Sequence, residues 1–322
     1  MDIQTLTPVA GKDYPQTWNE FLDWFSTEEA CLAFLERLRW SDGYVCPRCD
    51  WSGEAYRASR TRLMCRACQH QNSVTAGTIF DKTRTPLRIW LAAAWYLTNQ
   101  KQGVSALGLQ RVLGLGSYQT AWTMLHRFRR AMIRPGREKL KGLVEVDETY
   151  LAITDRQNPI SPKGRKNSTN KVLVAVAVEI LQPKGFGRIR LRRIPKDSAP
   201  HVIPFVQEVV EAGARVNTDG SAAYRSLTEL GYVHQRTVML GSDVPAHVSI
   251  AGVHRVAALV QRWILGTHHG SIQPEHLDAY LDEFVFRFNR RTSKSRGMLF
   301  YRLLQQAVVT APVTYQDLAK KA

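Results

Sequence analysis

Four cysteines in two C-x-x-C pairs are the residues of this chain whose types and spacing point most directly to chemistry. Cys46 and Cys49 form one pair, and Cys65 and Cys68 form the other. A tight turn under each pair directs two thiolates at one point, where a tetrahedral Zn²⁺ would close the site without an open coordination position. We therefore predict a structural zinc ribbon. The alternative is a set of redox-active or disulfide-bonded pairs, which is disfavoured because only Cys31 lies outside the four.

Two aspartates that end predicted strands are the second candidate for chemistry. Asp147 lies in VEVDETY and Asp219 in VNTDGSAAY, where Gly220 permits close backbone approach. Acids that end neighbouring strands meet at one edge of a sheet, and two carboxylates held close together are unfavourable without a divalent cation. The pattern predicts Mg²⁺ or Mn²⁺ in two-metal phosphoryl transfer. For either residue alone, an ordinary strand-end or turn aspartate is the alternative.

The composition favours a polyanionic partner. The chain has 322 residues, with 44 Lys and Arg against 28 Asp and Glu, a net charge of +16 and a pI near 9.9. Nucleic acid is the commonest partner of so basic a protein, and the 44% apolar content favours an enzyme-sized globule over a ribosomal or surface-adsorbing protein. No apolar run is long enough for a membrane span, and the N-terminus lacks a signal peptide pattern. We expect a cytoplasmic protein.

The elements that must position these residues divide the chain into segments. A capping box at Ser26 opens one predicted helix, and three more follow the ribbon, after Pro86, over 104–114 and from Ser117. Two short helices, a glycine turn and the third helix resemble a helix-turn-helix unit, although any three-helix bundle would look similar. We predict an N-terminal helical segment over 1–40, a zinc ribbon over 41–80, a helix-turn-helix-like domain over 81–140, a catalytic domain over 141–305 and a loose tail over 306–322.

Strand patterns predominate after residue 143. Strands are predicted over 143–151, 172–180, 188–194 and 214–220, and the unbroken apolar run of the second indicates burial on both faces. Helices are predicted over 199–212, after Val253 and over 274–291. The fold class is therefore α+β with several domains.

Arginines in three of these elements are candidates for DNA contacts. They lie on the ribbon arm, on the third helix after the ribbon, and on an alternating strand whose basic stripe predicts an edge or outer position. The three sets are Arg57, Arg60 and Arg62; Arg127, Arg129 and Arg130; and Arg188, Arg190 and Arg192.

Longer motifs resemble a known family. LRWSDGYVCPRC, CRACQHQNSVTAGTIF, VEVDETY, NTDGSAAY, RWILGTHHG and HLDAYLDEFVFRFNRR together resemble bacterial insertion-sequence transposases of the DDE type, in the ISXO-like group with an N-terminal zinc ribbon. The resemblance implies an RNase H-like α/β domain with a mixed sheet that cuts and joins transposon-end DNA. It matches Asp147 and Asp219 to the first two catalytic acids. It also implies double-stranded transposon-end and target DNA as partners, a homo-oligomer on DNA, and a bacterial, nucleoid-associated location.

The third catalytic position departs from the family pattern. His254 stands where a relative would carry glutamate, Leu259 stands at the slot that other members fill with asparagine, and Gln261 replaces the expected lysine. Three explanations remain open: His254 binds the second metal, another acid such as Asp282 or Glu283 takes the place, or the enzyme is impaired.

Two histidines and two further functions complete the sequence-based expectations. His268 and His269 could contact DNA phosphates or the metal-bound water, although the surrounding glycines equally suit a plain turn. A catalytically impaired, transposase-derived DNA-binding protein is the alternative function. A nuclease that hydrolyses DNA without joining it is a third.

Overall fold

The computed structural model describes residues 8–59, 61–153, 171–237 and 250–319. The chain forms two compact units. Unit 1 comprises Met1–Arg134 and Ser293–Lys320, and unit 2 comprises Pro135–Thr292. The polar and basic sequence over 153–171, which predicts a loop or hairpin tip, falls almost entirely outside the described residues. None of the helices in the described ranges has the length and apolarity that a membrane crossing requires.

Seven helices are described in unit 1, and local signals set several of their ends. Thr27 caps the second helix by accepting from the Ala30 amide at 3.2 Å, one residue later than predicted. Ser117 caps the fifth as expected, and Gly114 ends the fourth in the left-handed conformation at φ 60°. The helices are α1 Trp18–Trp24, α2 Glu28–Arg39, α3 Leu87–Asn99, α4 Ala106–Leu113, α5 Tyr118–Ala131, α9 Arg296–Ala307 and α10 Tyr315–Ala319.

An aromatic cluster forms the centre of unit 1 and includes the C-terminal part of the chain. Phe300 on α9 is fully buried, with its ring centroid 5.8 Å from Phe21, 5.9 Å from Phe25 and 5.4 Å from Trp95. The predicted boundaries of 141–305 and 306–322 therefore differ from the structure. Helix α9 packs in unit 1 because its apolar face fills this cluster, and the expected tail contains α10, whose Leu318 is buried.

The ribbon of unit 1 consists of short antiparallel strands. They are β1 Tyr44–Val45, β2 Ser52–Gly53, β3 Tyr56–Arg57, β4 Arg62–Met64 and β5 Gln71–Ser73. Strands β1 and β2 pair with each other, and β3, β4 and β5 form a second small sheet. Among its described residues, the buried cluster consists of Tyr44, Cys46, Leu63 and Cys65, with Trp40, Trp51, Ala55 and Cys68 packed against it. The apolar core of the ribbon is therefore small.

Unit 2 is built on a mixed sheet of five strands, in the order β10-β9-β6-β7-β8. The strands are β6 Leu143–Ala152, β7 Lys171–Ile180, β8 Phe186–Arg193, β9 Arg215–Asp219 and β10 Val233–Thr237. Strands β6, β7 and β8 pair antiparallel, whereas β9 runs parallel to β6 and β10 runs parallel to β9. Strand β10 was not predicted because its sequence VHQRT is largely exposed and lacks an apolar alternation.

Helices cover both faces of this sheet. One face of β7, with Val174, Val176 and Val178, packs against α7 Ala251–His268 and α8 Leu277–Phe288. The opposite face packs against α6 Ala199–Val209 and the 3₁₀ helix Ala222–Leu227. The prediction that the 172–180 strand is buried on both faces is confirmed.

Candidate metal centres and DNA contacts

The four cysteine sulfurs of the ribbon converge on one point. All four Sγ atoms lie within 4.8 Å of one another, with Cys46 Sγ 3.7 Å from Cys68 Sγ and Cys49 Sγ 3.7 Å from Cys65 Sγ. A Zn–S bond of about 2.3 Å gives a regular tetrahedron an edge of about 3.8 Å. None of the four forms a disulfide. The arrangement therefore fits four thiolates around a Zn²⁺ ion.

Both cysteine turns use the same local backbone pattern. The amide after each second cysteine donates to the carbonyl of the first cysteine, from Asp50 to Cys46 at 3.0 Å and from Gln69 to Cys65 at 3.0 Å. Asp50 and Gln69 adopt left-handed φ angles of 56° and 57°. This conformation folds the backbone back under each cysteine pair. The thiolates are thus placed by short-range geometry.

The two predicted catalytic aspartates lie just beyond the parallel pairing of β6 and β9. Glu145 on β6 is the partner of Asn217 on β9. Two residues further along each strand, Asp147 and Asp219 lie on the same face, because side chains alternate with a period of two. The two carboxylates thus face the same side of the sheet at the carboxyl-terminal edge of β9. Asp219 ends its strand as predicted, whereas Asp147 does not, because β6 continues to Ala152.

The electrostatics of Asp147 show that it has charged neighbours. Burial raises the pKa of its carboxyl group, and the charge of Asp219 raises it further. The Glu148 amide, which donates to Asp147 Oδ1 at 2.8 Å, and the charge of His254 oppose that increase. A divalent cation between the carboxylates would favour their ionised forms. The pair therefore fits a site for an oxygen-preferring cation.

His254 lies near this edge but does not complete a compact ligand group there. Its Nε2 atom is buried, and no hydrogen-bond partner for it lies among the described residues. Its charge lowers the pKa of both Glu145 and Asp147. In the described ranges, however, the cysteine cluster is the only group of three or more Cys, His, Asp or Glu with ligand atoms within 4.8 Å of one another. His254 as third ligand stays a prediction.

The two alternative acids are engaged elsewhere in unit 2. Glu283 is fully buried on α8 and accepts from Arg287 Nε at 2.9 Å. Burial raises the pKa of Asp282 to about 7, and the charges acting on it come from Arg137, Asp278 and Arg192. Neither acid forms a compact group with the aspartates in the described part of the chain.

Glu145 is a residue of this region that the sequence analysis missed. Its Oε2 atom accepts from the Gly252 amide at 2.7 Å and from the Val253 amide at 3.2 Å, so it caps the first turn of α7. It is only 8% exposed, and burial raises the pKa of its carboxyl group. The alternation of VEVDETY places it on the face of Asp147. That pattern could have identified it.

Glu148 and Tyr224 were also missed. The Tyr224 hydroxyl donates to Glu148 Oε1 at 2.5 Å, and Tyr224 is fully buried. Burial raises the pKa of Glu148 to about 7, and the charges of Asp147 and Asp219 contribute to the increase. Nothing local in the sequence pairs two residues so far apart in the chain.

The arginines of α5 require a correction. Arg129 is 1% exposed, so it is not available to a DNA phosphate. Arg127 donates to the carbonyls of Ile79 and Val313, both at 2.9 Å, and holds the C-terminal segment of unit 1. Only Arg130 of the three is exposed. Helical periodicity explains the result, because the inner face of α5 packs in the unit.

The basic stripe on β8 also differs from the prediction. The strand is an edge strand, as expected. Arg190, however, is 4% exposed and donates to the Glu138 carbonyl at 2.8 Å, and burial lowers its pKa to about 10. The other two pair with acids, Arg188 with Glu179 at 2.6 Å and Arg192 with Glu208. The stripe is largely neutralised within unit 2.

The ribbon arginines and the two histidines have mixed positions. Arg57 pairs with Glu36 at 2.5 Å but remains 53% exposed, and Arg62 is exposed. The His268 ring packs edge-on against Trp263 and Tyr280, with centroids 4.9 and 4.8 Å away. His269 is exposed and ends α7 at a left-handed φ of 50°. Arg60 lies outside the described residues. DNA contacts by these side chains stay predictions.

The cysteine ribbon and the sheet with two carboxylates both lie in segments that match the models of known transposase families. Residues 139–289 match the model of the ISXO2-like transposase domain, and residues 26–71 match that of the transposase zinc-ribbon domain. The chain belongs to the DDE-type insertion-sequence transposases with an N-terminal zinc ribbon.

The individual protein and the solved structures to which the chain is similar have sequence identities of 14% to 25%. An uncharacterized protein in transposable element ISH50 of Halobacterium salinarum is 25% identical over 280 residues, covering 82% of this chain and 91% of that protein. A crystal structure of a pre-cleavage Mos1 transpososome is 14% identical over 68% of this chain and 75% of that chain, with a TM-score of 0.27. The Mos1 strand transfer complex gives a TM-score of 0.28 at 14% identity, over 68% and 74% of the two chains. Similarity at that level carries no structural argument.

Proposed function

We propose that this chain is an insertion-sequence transposase that binds transposon-end DNA and catalyses metal-dependent cleavage and strand transfer. The observation that carries the proposal is the placement of Asp147 and Asp219 at one edge of the sheet, inside the segment that matches the transposase domain. Two adjacent carboxylates are the minimum that a divalent-cation site for phosphoryl transfer needs.

The topology of unit 2 supports an RNase H-like assignment for this domain. Three antiparallel strands come first in the chain, and two parallel strands then add on the far side of β6. This order places β9 beside the first half of β6. Asp219 lies at the carboxyl end of β9, and Asp147 lies inside β6, two residues beyond its last pair with β9.

The residues near the aspartates have separate roles in the proposed chemistry. Bound Mg²⁺ or Mn²⁺ would supply Lewis-acid activation of the attacking 3′-hydroxyl and stabilisation of the leaving oxygen. Asp147 and Asp219 would hold the cations through carboxylate oxygens, and His254 is the candidate third ligand. Glu145 fixes the first turn of α7 to β6 and so positions the helix that carries His254.

The four cysteines would hold one structural Zn²⁺ in the ribbon. The Sγ separations of 3.7 Å support this assignment. A fully cysteine-ligated zinc takes no part in phosphoryl transfer, and its role would be to fold the ribbon.

An acid-free stretch of the chain supports DNA binding by the helices of unit 1. No Asp or Glu occurs between Asp81 and Glu138, whereas basic residues recur throughout the segment. Charge of one sign over three consecutive helices suits a phosphate backbone. The exposed basic residues of unit 1 in this segment are Lys82, Arg84, Arg88, Lys101, Arg111, Arg130 and Arg134.

The exposed end of α5 fits a helix-turn-helix role better than its arginine-rich end. Helices α4 and α5 are joined by a short turn at Gly114, and the turn and first residues of α5 are exposed, including Tyr118 and Gln119. In helix-turn-helix proteins the N-terminal residues of the second helix contact base edges. We therefore assign recognition of the DNA sequence to the N-terminal end of α5. We also propose that the chain assembles on DNA as a homo-oligomer.

A catalytically impaired DNA-binding descendant is the second candidate. It is favoured by one observation: in the described residues, no third carboxylate or imidazole forms a compact group with the two aspartates. In this alternative the ribbon and the helical modules still bind DNA, but the chain does not catalyse DNA cleavage or strand transfer.

Cleavage of a DNA substrate separates the two candidates. Purified chain would be incubated with labelled duplexes that carry the inverted repeats flanking its gene, with Mg²⁺ or Mn²⁺. The proposal expects strand cleavage and joining, abolished in Asp147→Asn and Asp219→Asn, which retain end binding because neither residue belongs to the DNA-reading modules. Tight end binding without cleavage in either metal would support the impaired descendant. Hydrolysis without joining would support a nuclease.

A further inference from the structure

The middle of β6 is connected to the segment after β9 by a part-buried side-chain hydrogen bond. Tyr224, in the 3₁₀ helix Ala222–Leu227, donates its hydroxyl to Glu148 Oε1 at 2.5 Å. Glu148 is the neighbour of Asp147 in β6, and Tyr224 follows Asp219 closely in the chain. The bond thus connects the chain segments that carry the two aspartates.

Backbone pairing does not provide this connection at the level of the aspartates. In the described residues, the pairing of β6 with β9 runs from Leu143 opposite Arg215 only as far as Glu145 opposite Asn217. The aspartates lie two residues beyond its last pair. Their spacing therefore depends on contacts other than this ladder.

The path from Tyr224 back to Asp219 is short and ordered by hydrogen bonds. The Ser221 amide donates to Asp219 Oδ1 at 2.9 Å, and the Ser221 side chain accepts from the Ala223 amide at 3.2 Å, which opens the 3₁₀ helix. A displacement of Tyr224 would therefore move the backbone next to the Asp219 carboxylate.

Glu148 and Asp147 point to opposite faces of the sheet because they are adjacent in one strand. Val144 and Val146 share the face of Glu148 and belong to the core cluster that contains Tyr224. Glu148 thus reaches its partner from the side of the sheet opposite to the proposed metal site. A direct ligand would need to lie on the Asp147 face.

We propose that Glu148 and Tyr224 are positioning residues that hold Asp219 opposite Asp147 at the spacing a shared divalent cation requires. The inference rests on the proposed metal site. Its functional element is the hydrogen bond itself, because the aromatic ring of Tyr224 contributes packing that phenylalanine would retain. An acceptor oxygen at position 148 suffices, so the role does not require the charge of Glu148.

The test measures Mn²⁺ binding to the full, zinc-loaded chain, with free Mn²⁺ quantified by EPR. Tyr224→Phe and Glu148→Ala should each weaken binding about tenfold, and the double variant should be no weaker than either single variant, as expected for two ends of one contact. Glu148→Gln should bind within about twofold of the unsubstituted chain, since its amide oxygen still accepts the hydrogen bond.

Tyr232→Phe is the matched control. Tyr232 is buried in the same core cluster, and its hydroxyl donates to the Val210 carbonyl at 3.4 Å rather than to a residue next to an aspartate. It should leave Mn²⁺ binding unchanged. Thermal unfolding of every variant shows whether the unit is folded at the assay temperature.

Each remaining outcome overturns a defined part of the inference. Equal Mn²⁺ affinities for Tyr224→Phe and Tyr232→Phe would refute the positioning role. A loss in Glu148→Gln as large as in Glu148→Ala would replace positioning by a direct effect of the Glu148 charge. Unchanged binding in Asp147→Asn and Asp219→Asn, or no binding to the unsubstituted chain, would remove the proposed metal site and this inference with it.

Discussion

The ribbon and the carboxylate edge of unit 2 assemble their candidate ligands in opposite ways. The four ribbon cysteines come from two turns within Cys46–Cys68, and each turn has the same short-range hydrogen bond. Asp147 and Asp219 come from separate strands and meet only when β6 pairs with β9. Ligands that local turns bring together can be predicted from the sequence, whereas ligands that a sheet brings together depend on tertiary contacts.

The two regions also differ in what holds them together. The buried cluster of the ribbon has four residues, two of which are the cysteines Cys46 and Cys65. Unit 2 has large apolar clusters on both faces of its sheet. A core as small as that of the ribbon needs a metal to be stable, while the sheet of unit 2 does not.

The largest expected effect comes from removing one ribbon ligand. Cys49→Ser should abolish the binding of about one zinc equivalent and unfold the ribbon, because zinc binding contributes about 10–16 kcal/mol to such sites. Metal analysis and hydrogen exchange of residues 44–73 measure both effects. Cys31→Ser, at the cysteine outside the cluster, is the control and should retain zinc. Retention of zinc and of exchange protection in Cys49→Ser would break the contrast between the two regions.

A smaller effect is expected where a side chain, rather than a metal, connects two elements. Glu145→Ala should destabilise unit 2 by about 2 kcal/mol, because it leaves two amides at the start of α7 unpaired in a buried position. Glu145→Gln should reduce the stability of unit 2 much less, since its side-chain oxygen can still accept hydrogen bonds from the Gly252 and Val253 amides. Urea unfolding followed in unit 2 tests this, and equal losses in the two variants would show that charge, not capping, is the stabilising factor.

The third prediction concerns the metal preference of the carboxylate edge. Imidazole suits Mn²⁺ better than Mg²⁺, which prefers oxygen ligands. If His254 is the third ligand, strand transfer should be stronger in Mn²⁺, and His254→Glu should shift the ratio of rates toward Mg²⁺ by about tenfold, or roughly 1.4 kcal/mol. Gln261→Glu, at the position where the family carries lysine, is the control. An unchanged ratio in His254→Glu would exclude His254 from the metal site.

The smallest expected effects separate two exposed arginines of unit 1 from an exposed arginine of unit 2 that lies away from Asp219. Arg62→Ala in the ribbon and Arg130→Ala in α5 should each reduce the slope of log affinity against log salt by about 1, the change expected for one phosphate contact. Arg215→Ala, at the end of β9 opposite to Asp219, should not change it. Fluorescence anisotropy with end DNA between about 50 and 200 mM salt measures the slopes. A change in Arg215→Ala alone would place the DNA on the other side of unit 2.

Much of both regions was predictable because it depends on local pattern. The cysteine spacing, the position of Asp219 at the end of β9 and the apolar run of β7 all follow from side-chain periodicity or turn geometry. Strand β10 could not be found in this way, because an exposed edge strand needs no apolar alternation. The burial of Arg190 was also not predictable, since the Glu138 carbonyl, which lies outside β8, compensates for burying this charge. The Glu148–Tyr224 contact depends on the complete topology.

The division of unit 1 between two distant parts of the chain has a consequence for its biosynthesis. Phe300 fills the centre of an aromatic cluster whose other members lie before residue 100. All of Pro135–Thr292 must leave the ribosome first, which takes roughly 10–30 s at about 5–20 residues per second. During that interval Phe21, Phe25 and Trp95 form an incomplete hydrophobic surface on the nascent chain. Unit 1 therefore completes its aromatic core only after the whole of unit 2 has been synthesised.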